Sequence, residues 1–171
     1  MDKICISIGT ADIDDLSSVL DWMKENTEFQ VLQILRADYI VSVDQVVAAF
    51  NEALDTMQSK NNIAKTLNNE FLLRLAGVRQ IDKALDNFGI KQGKNKVVIV
   101  ISGNNCKHLM DEFITKFYFI VDELVLDIKD RYDSLKEFYQ IDDKQIETIG
   151  GNKEDALRKL ILEKVASLEL Y

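Results

Sequence analysis

The sequence predicts an α/β (α+β) domain, a mixed β-sheet packed with several helices, from three observations. Short β-branched runs at residues 4–8, 29–35 and 97–101 alternate with longer segments whose apolar side chains recur every three or four positions. The chain has 171 residues and is 47% hydrophobic, so one compact domain spanning 1–171 can build a core without metal or disulfide. No linker, low-complexity tract or internal repeat interrupts it, and no apolar run approaches the ~20 residues of a membrane span. Proline is absent, so element boundaries must come from Gly, Asn and capping side chains.

Residues 4–8 alternate apolar and small side chains and read as a strand. Gly9-Thr10 is expected to turn the chain into an Asp-rich entrance to a helix at about Ile13, with Leu16, Val19, Leu20 and Met23 on one face. Residues 29–35 are extended again, and 37–41 are expected to continue that strand or pair beside it. Ser42 with Gln45 three residues on has the form of a capping box, which starts a helix through Val46, Ala49, Phe50 and Leu54 that ends at Asn61-Asn62. Phe71, Leu72 and Leu75 form a short helical face. Gly77 breaks it, and Val78, Ile81, Leu85 and Phe88 resume it, giving a helix-turn-helix with Gly89 as the second stop.

The unbroken run 97–101 suits a central strand buried on both faces. A helix over 106–117 follows, then a strand at Leu124-Val125-Leu126 and a short helix at 134–139. Asn152, with Asp155 at the third helical position, caps a final helix whose stripe is Ala156, Leu157, Leu160, Ile161, Val165 and Leu168.

Catalytic and cofactor signatures fail on inspection, so the chain reads as a non-enzyme without cofactor or metal. Residues 89–94 superficially resemble a phosphate loop, but the glycine spacing is one short, Asn95 replaces the required Ser or Thr, and a strand follows instead of a helix. Asp12, Asp14 and Asp15 lack the Gly and Glu of a calcium loop and suit a helix entrance. The carboxylates from Asp122 to Asp133 read as a solvated acidic surface. His108, beside Leu109 and Phe113, reads as structural. Cys5 and Cys106 have neither zinc nor CxxC spacing and read as reduced packing residues of a cytoplasmic protein.

One stretch departs from the overall acidity. Residues 60–96 carry eight Lys or Arg against three Asp or Glu, in a chain of net charge −8. A cationic island in an acidic sequence suits a localised polyanion site better than indiscriminate attraction. Arg79 and Lys83 are four apart on one helical face, while Arg74 and Lys65 belong to the preceding helix and its approach, so a turn at Gly77 would gather them around a corner. The competing reading is ordinary helix decoration, since Glu70 precedes Arg74 by four and Asp82 follows Arg79 by three. On charge alone the two stand level.

Ile63-Ala64, Glu70, the aliphatic pair ending at Arg74, Gly77-x-Arg79-Gln80-Ile81, Ala84 and Gly89 together resemble the signature of the TPRKB-type subunit of the KEOPS complex, in its archaeal-like form. Ala37-Asp38 and the final amphipathic helix are similar too. The resemblance implies a non-catalytic subunit in tRNA threonylcarbamoyladenosine modification. Such a subunit binds and activates a small atypical kinase/ATPase, meets other KEOPS subunits indirectly, and recruits tRNA through its 3′ CCA end. Arg74, Gly77, Arg79 and Gln80 are the matching motif positions; Lys65, Lys83 and Lys91 join them on local charge. Leu168, Leu170 and Tyr171 are the kinase-binding candidates. The alternatives are a purely protein-binding kinase adaptor with an inert basic cluster, and a small nucleotide-dependent enzyme, against which the missing phosphate loop counts.

Overall fold

Strand β3 (Gly93–Ser102) runs through the middle of the molecule, because its Val and Ile side chains are wanted on both sides of a sheet. The computed structural model describes residues 3–26, 28 and 30–167. The sheet has the order β2-β3-β1-β4, with β1 at Ile4–Ile13, β2 at Leu32–Arg36 and β4 at Ile120–Val121. All three pairings are antiparallel, so the strand directions expected to be mixed are uniform among the described residues.

Period-two alternation sorts the strand residues between two cores. Val98, Val100, Ile8 and Leu35 face one, built with helices α2 (Val43–Ser59), α3 (Leu67–Ala76) and α4 (Ile81–Phe88). Val97, Ile99, Ile101, Ile13 and Ile34 face the other, closed by α1 (Leu16–Glu25) and α5 (Cys106–Lys116). Beside the first core, α6 (Tyr132–Tyr139), α7 (Asp143–Ile149) and α8 (Lys153–Ala166) pack around Leu135, Leu157 and Ile161.

Several local expectations are corrected by packing. The first strand does not turn at Gly9 but continues to Ile13, paired with β3 along its whole length, and β4 pairs on its other side at Gly9 and Thr10, where a Cβ on Gly9 would lie 1.9 Å from the Ile120 carbonyl oxygen. The helix therefore starts later, capped by Asp15, and it buries Val19 and Trp22 while Leu20 stays 41% exposed. Residues 37–41 form no strand; Ile40 N–H donates to the Ala37 carbonyl in a turn. Residues 124–126, expected as a strand, lie in the 3-10 turn Glu123–Leu126, and the short strand precedes them at β4. Helix α7 was not expected. Ser42 does cap α2 by accepting from Gln45 N–H at 3.1 Å, but the Gln45 side chain leaves the box. It accepts from Val41 N–H and donates to the Tyr139 hydroxyl at 2.9 Å.

Cys5 and Cys106, expected to be reduced, are joined by a disulfide that ties β1 to the start of α5. Their sequence separation of 101 residues hid the pairing, which β1·β3 antiparallel register brings about by placing Cys5 opposite Ile101. His108 is exposed on α5 and no part of the core.

Candidate functional site

Helix α3 ends at Gly77, and a buried carboxylate ties it to α2 and to the loop that leads into it. Glu70 and Arg74 are both fully buried, one helical turn apart. Arg74 Nε and Nη2 donate to Glu70 Oε1 at 2.9 and 2.8 Å, and Thr56 of α2 donates to the same oxygen at 3.1 Å. The other oxygen accepts the backbone N–H groups of Ile63 and Ala64 at 2.8 and 2.7 Å. One side chain thus folds the loop after α2 onto α3, and the ion pair satisfies the charges it brings inside. Glu52 of α2 lies 3.6 Å from Arg74 Nη1.

At Gly77 the backbone takes a left-handed φ of 66°, which a side-chain-bearing residue resists, and the N–H groups of Gly77 and Val78 close the helix end on Arg74 and Leu73 carbonyls. Gln80 stands at the N-cap of α4 without bonding it through its side chain. Helix α4 buries Ala84 and Phe88 and leaves Leu85 47% exposed, so the expected stripe is rotated toward Ala84. Lys83 is thereby left in solvent, whereas Arg79 lies before the N-cap, in the turn and not on the helical face it was expected to share with Lys83; it too is exposed.

The far end of α4 is clamped from the sheet. Arg36 donates to the carbonyls of Asp86, Asn87 and Gly89 at 2.8, 3.0 and 2.6 Å, and pairs with Asp38 at 2.9 Å. The guanidinium satisfies the helix's last carbonyls and complements its dipole. Arg131 holds the neighbouring turn by donating to the carbonyls of Ala37, Asp38 and Ile40. The loop at 89–94, which superficially resembles a phosphate loop, is closed by Asn95, whose side chain accepts from Lys91 N–H and donates to the carbonyls of Lys91 and Gly93.

A cleft of about 410 Å³ opens at the corner, lined among others by Gly77, Val78, Lys83, Asp86, Phe138 and Lys164. Phe138 is stacked on Tyr39 with ring centroids 3.7 Å apart. Behind it, burial holds the Tyr139 phenol well above its usual pKa of 10.0, while the hydroxyl donates to the Tyr39 carbonyl at 2.6 Å.

The expected site residues are therefore divided. Gly77, Arg79, Gln80 and Lys83 share the corner. Arg74 is not at the surface: its guanidinium pairs with Glu70, as the competing reading expected, but inside the protein and not as decoration of an exposed helix. Arg79 goes the other way, making no ion pair with Asp82 or any other carboxylate among the described residues. Lys65 precedes the N-cap of α3 and Lys91 follows the end of α4, so they stand at the far ends of helices roughly 15 and 12 Å long. Both are exposed, but the turn does not gather them. Leu168, Leu170 and Tyr171 lie outside the described residues. Phe138 and Lys164 are the corner residues that sequence reading missed; both come from helices distant in sequence, and no local signal joins them to Gly77. Among the described residues, no group of three His, Cys, Asp or Glu is placed to hold a metal ion, and no helix is long and apolar enough to cross a membrane.

Comparison with known proteins agrees with the motif. The family described as "Kinase binding protein CGI-121" matches residues 10–169. The chain is 30% identical over 143 residues to "Regulatory protein Cgi121" of Methanocaldococcus jannaschii, covering 81% of this chain and 83% of that one. It is 37% identical over 68 residues to "KEOPS complex subunit Cgi121" of Pyrococcus abyssi, a match that spans 40% of each chain.

Proposed function

The chain belongs to the kinase-binding CGI-121 family, and from that premise we propose that it is a non-catalytic regulatory subunit of a KEOPS assembly, acting in the cytoplasm on tRNA threonylcarbamoyladenosine modification. It binds and activates the assembly's small atypical kinase/ATPase and recruits tRNA through the single-stranded 3′ CCA end. The observation that carries the RNA reading is the division between the two motif arginines: Arg74 is enclosed with Glu70, whereas Arg79, just past Gly77, is exposed and makes no ion pair among the described residues.

Unstacked nucleotides suit this corner. Their phosphates meet Arg79 and Lys83, and the Gln80 amide, free of capping duty, offers hydrogen bonds to a base edge. The half-buried Phe138 ring in the adjoining cleft supplies a surface for stacking, which contributes about 1–3 kcal/mol per base. Lys65 and Lys91 extend the positive field along the two helices toward the upstream backbone. The acidic remainder of the chain repels nucleic acid elsewhere.

Binding of the isolated chain to cognate tRNA, with and without the CCA end, is the direct test. Arg79→Glu and Lys83→Glu should each weaken binding to intact tRNA and lower the salt slope by about one per lost phosphate contact. Equal binding of both variants and wild type at low and moderate salt would move the site elsewhere. Kinase binding without any tRNA binding would favour the purely protein-binding adaptor.

A further inference from the structure

Four of the large hydrophobic side chains exposed in this molecule fall within seven residues: Tyr118 at 86%, Ile120 at 66%, Val121 at 59% and Leu124 at 78%. The segment is held in place at both ends and in its middle. Phe119 is buried in the second core, and Val125 and Leu126 in the first. Between them, Gly9 admits the Ile120 carbonyl, Asp122 N–H donates to the Ile8 carbonyl at 2.9 Å, and the Asp122 carboxylate accepts from Leu124 N–H at 3.0 Å. Its apolar side chains are thus presented outward by a fixed scaffold.

The patch continues along an edge of β1 that carries no partner strand beyond β4 among the described residues, and beside which the 3-10 turn Glu123–Leu126 packs. β4 pairs with β1 only at Gly9 and Thr10, and the Asp122 bond to Ile8 shows which side of β1 its even-numbered backbone groups face. Ile4 and Ile6 point their N–H and C=O groups to that same side, where no hydrogen bond reaches them among the described residues. At the opposite edge of the sheet, β2 is protected: Asn68 accepts from Leu32 N–H and Leu35 bridges to Gly89.

The surrounding charge selects the occupant. Asp12, Asp122, Glu123 and Asp127 are exposed around the patch. A second copy would set this acidic rim against itself, and RNA would be repelled. We propose that this face docks the kinase partner through an extended segment that adds to the unpaired backbone groups of Ile4 and Ile6 on β1, with apolar side chains on Ile120, Val121 and Leu124 and Lys or Arg against Asp122 and Glu123. The proposal rests on the kinase-binding reading above and places the contact here in addition to the terminal leucines.

The test uses the full chain and its purified cognate kinase, with affinity measured by calorimetry. Ile120→Lys and Leu124→Lys alter exposed side chains, so melting should match wild type and tRNA binding should persist. Each should weaken kinase binding by about tenfold or more, and hydrogen exchange should show the Ile4 and Ile6 amides protected in the wild-type complex. Folded variants that bind the kinase as wild type does would overturn the docking site, and unprotected Ile4 and Ile6 amides would overturn strand addition. Failure of wild type itself to bind the kinase would remove the kinase reading as well. A wild-type dimer broken by Ile120→Lys would name a second copy as occupant and overturn the proposal.

Discussion

Glu70 and Arg74 illustrate how a surface-looking pattern becomes an interior one. A Glu–Arg pair four residues apart on an exposed helix contributes a few tenths of a kcal/mol, whereas this one is sealed between α2, α3 and the loop at Ile63. Arg74→Glu would enclose two like charges, so it should destabilise the fold by about 3–5 kcal/mol or prevent folding, read by urea denaturation. Arg79→Glu should melt like wild type and show its effect only in tRNA affinity. A second residue-scale expectation concerns Tyr139. Its phenol pKa is raised in the folded state by burial, so its contribution to stability is fully present below the ordinary value of 10.0 and is lost as pH rises through the folded value. Melting followed from pH 8 to 11 should show an alkaline decline that Tyr139→Phe reduces, set against a loss of about 1–3 kcal/mol near neutrality from the unpaired Gln45 amide and Tyr39 carbonyl.

At the scale of elements, the strand β1 is shaped by what pairs beside it. Gly9→Ala would drive a methyl group into the Ile120 carbonyl, backbone that cannot swing away, so β4 must shift. The expected cost is about 1–3 kcal/mol, with faster hydrogen exchange across residues 118–124. The same strand carries the disulfide to α5. Closing a loop of this length restricts the unfolded chain by roughly 4–5 kcal/mol in the chain-entropy account, so Cys5→Ser or a reductant should lower the melting temperature of the oxidised protein. An unchanged melt with two free thiols would show the bridge unformed. Helices α3 and α4 keep their angle through Gly77, whose surroundings have room for a methyl group but whose φ does not suit one; Gly77→Ala should cost about 1 kcal/mol and weaken tRNA binding more than stability.

Across the whole molecule, sequence and structure agree where the signal is local and diverge where a contact crosses the chain. The five consecutive β-branched residues at 97–101 demand burial on two faces and receive it. The helix boundaries at Ser42, Gly77 and Asn152 follow from caps that act within three residues. The β4 pairing, the Cys5–Cys106 bridge, the hold of Arg131 on the turn at 37–41 and Phe138 beside Gly77 are long-range, and no periodicity encodes them. Charge shows the limit most clearly. The sequence by itself determined that residues 60–96 hold a cationic island with a motif at its centre, because composition and spacing survive any folding. Only the tertiary structure decided which cation faces water: α3 lies against α2 and turns Arg74 inward to Glu70, while Arg79 falls in the turn between α3 and α4 and stays outside. Packing of α3 against neighbours far away in the chain made one arginine a strut, and the turn after Gly77 left the other exposed as a candidate for tRNA.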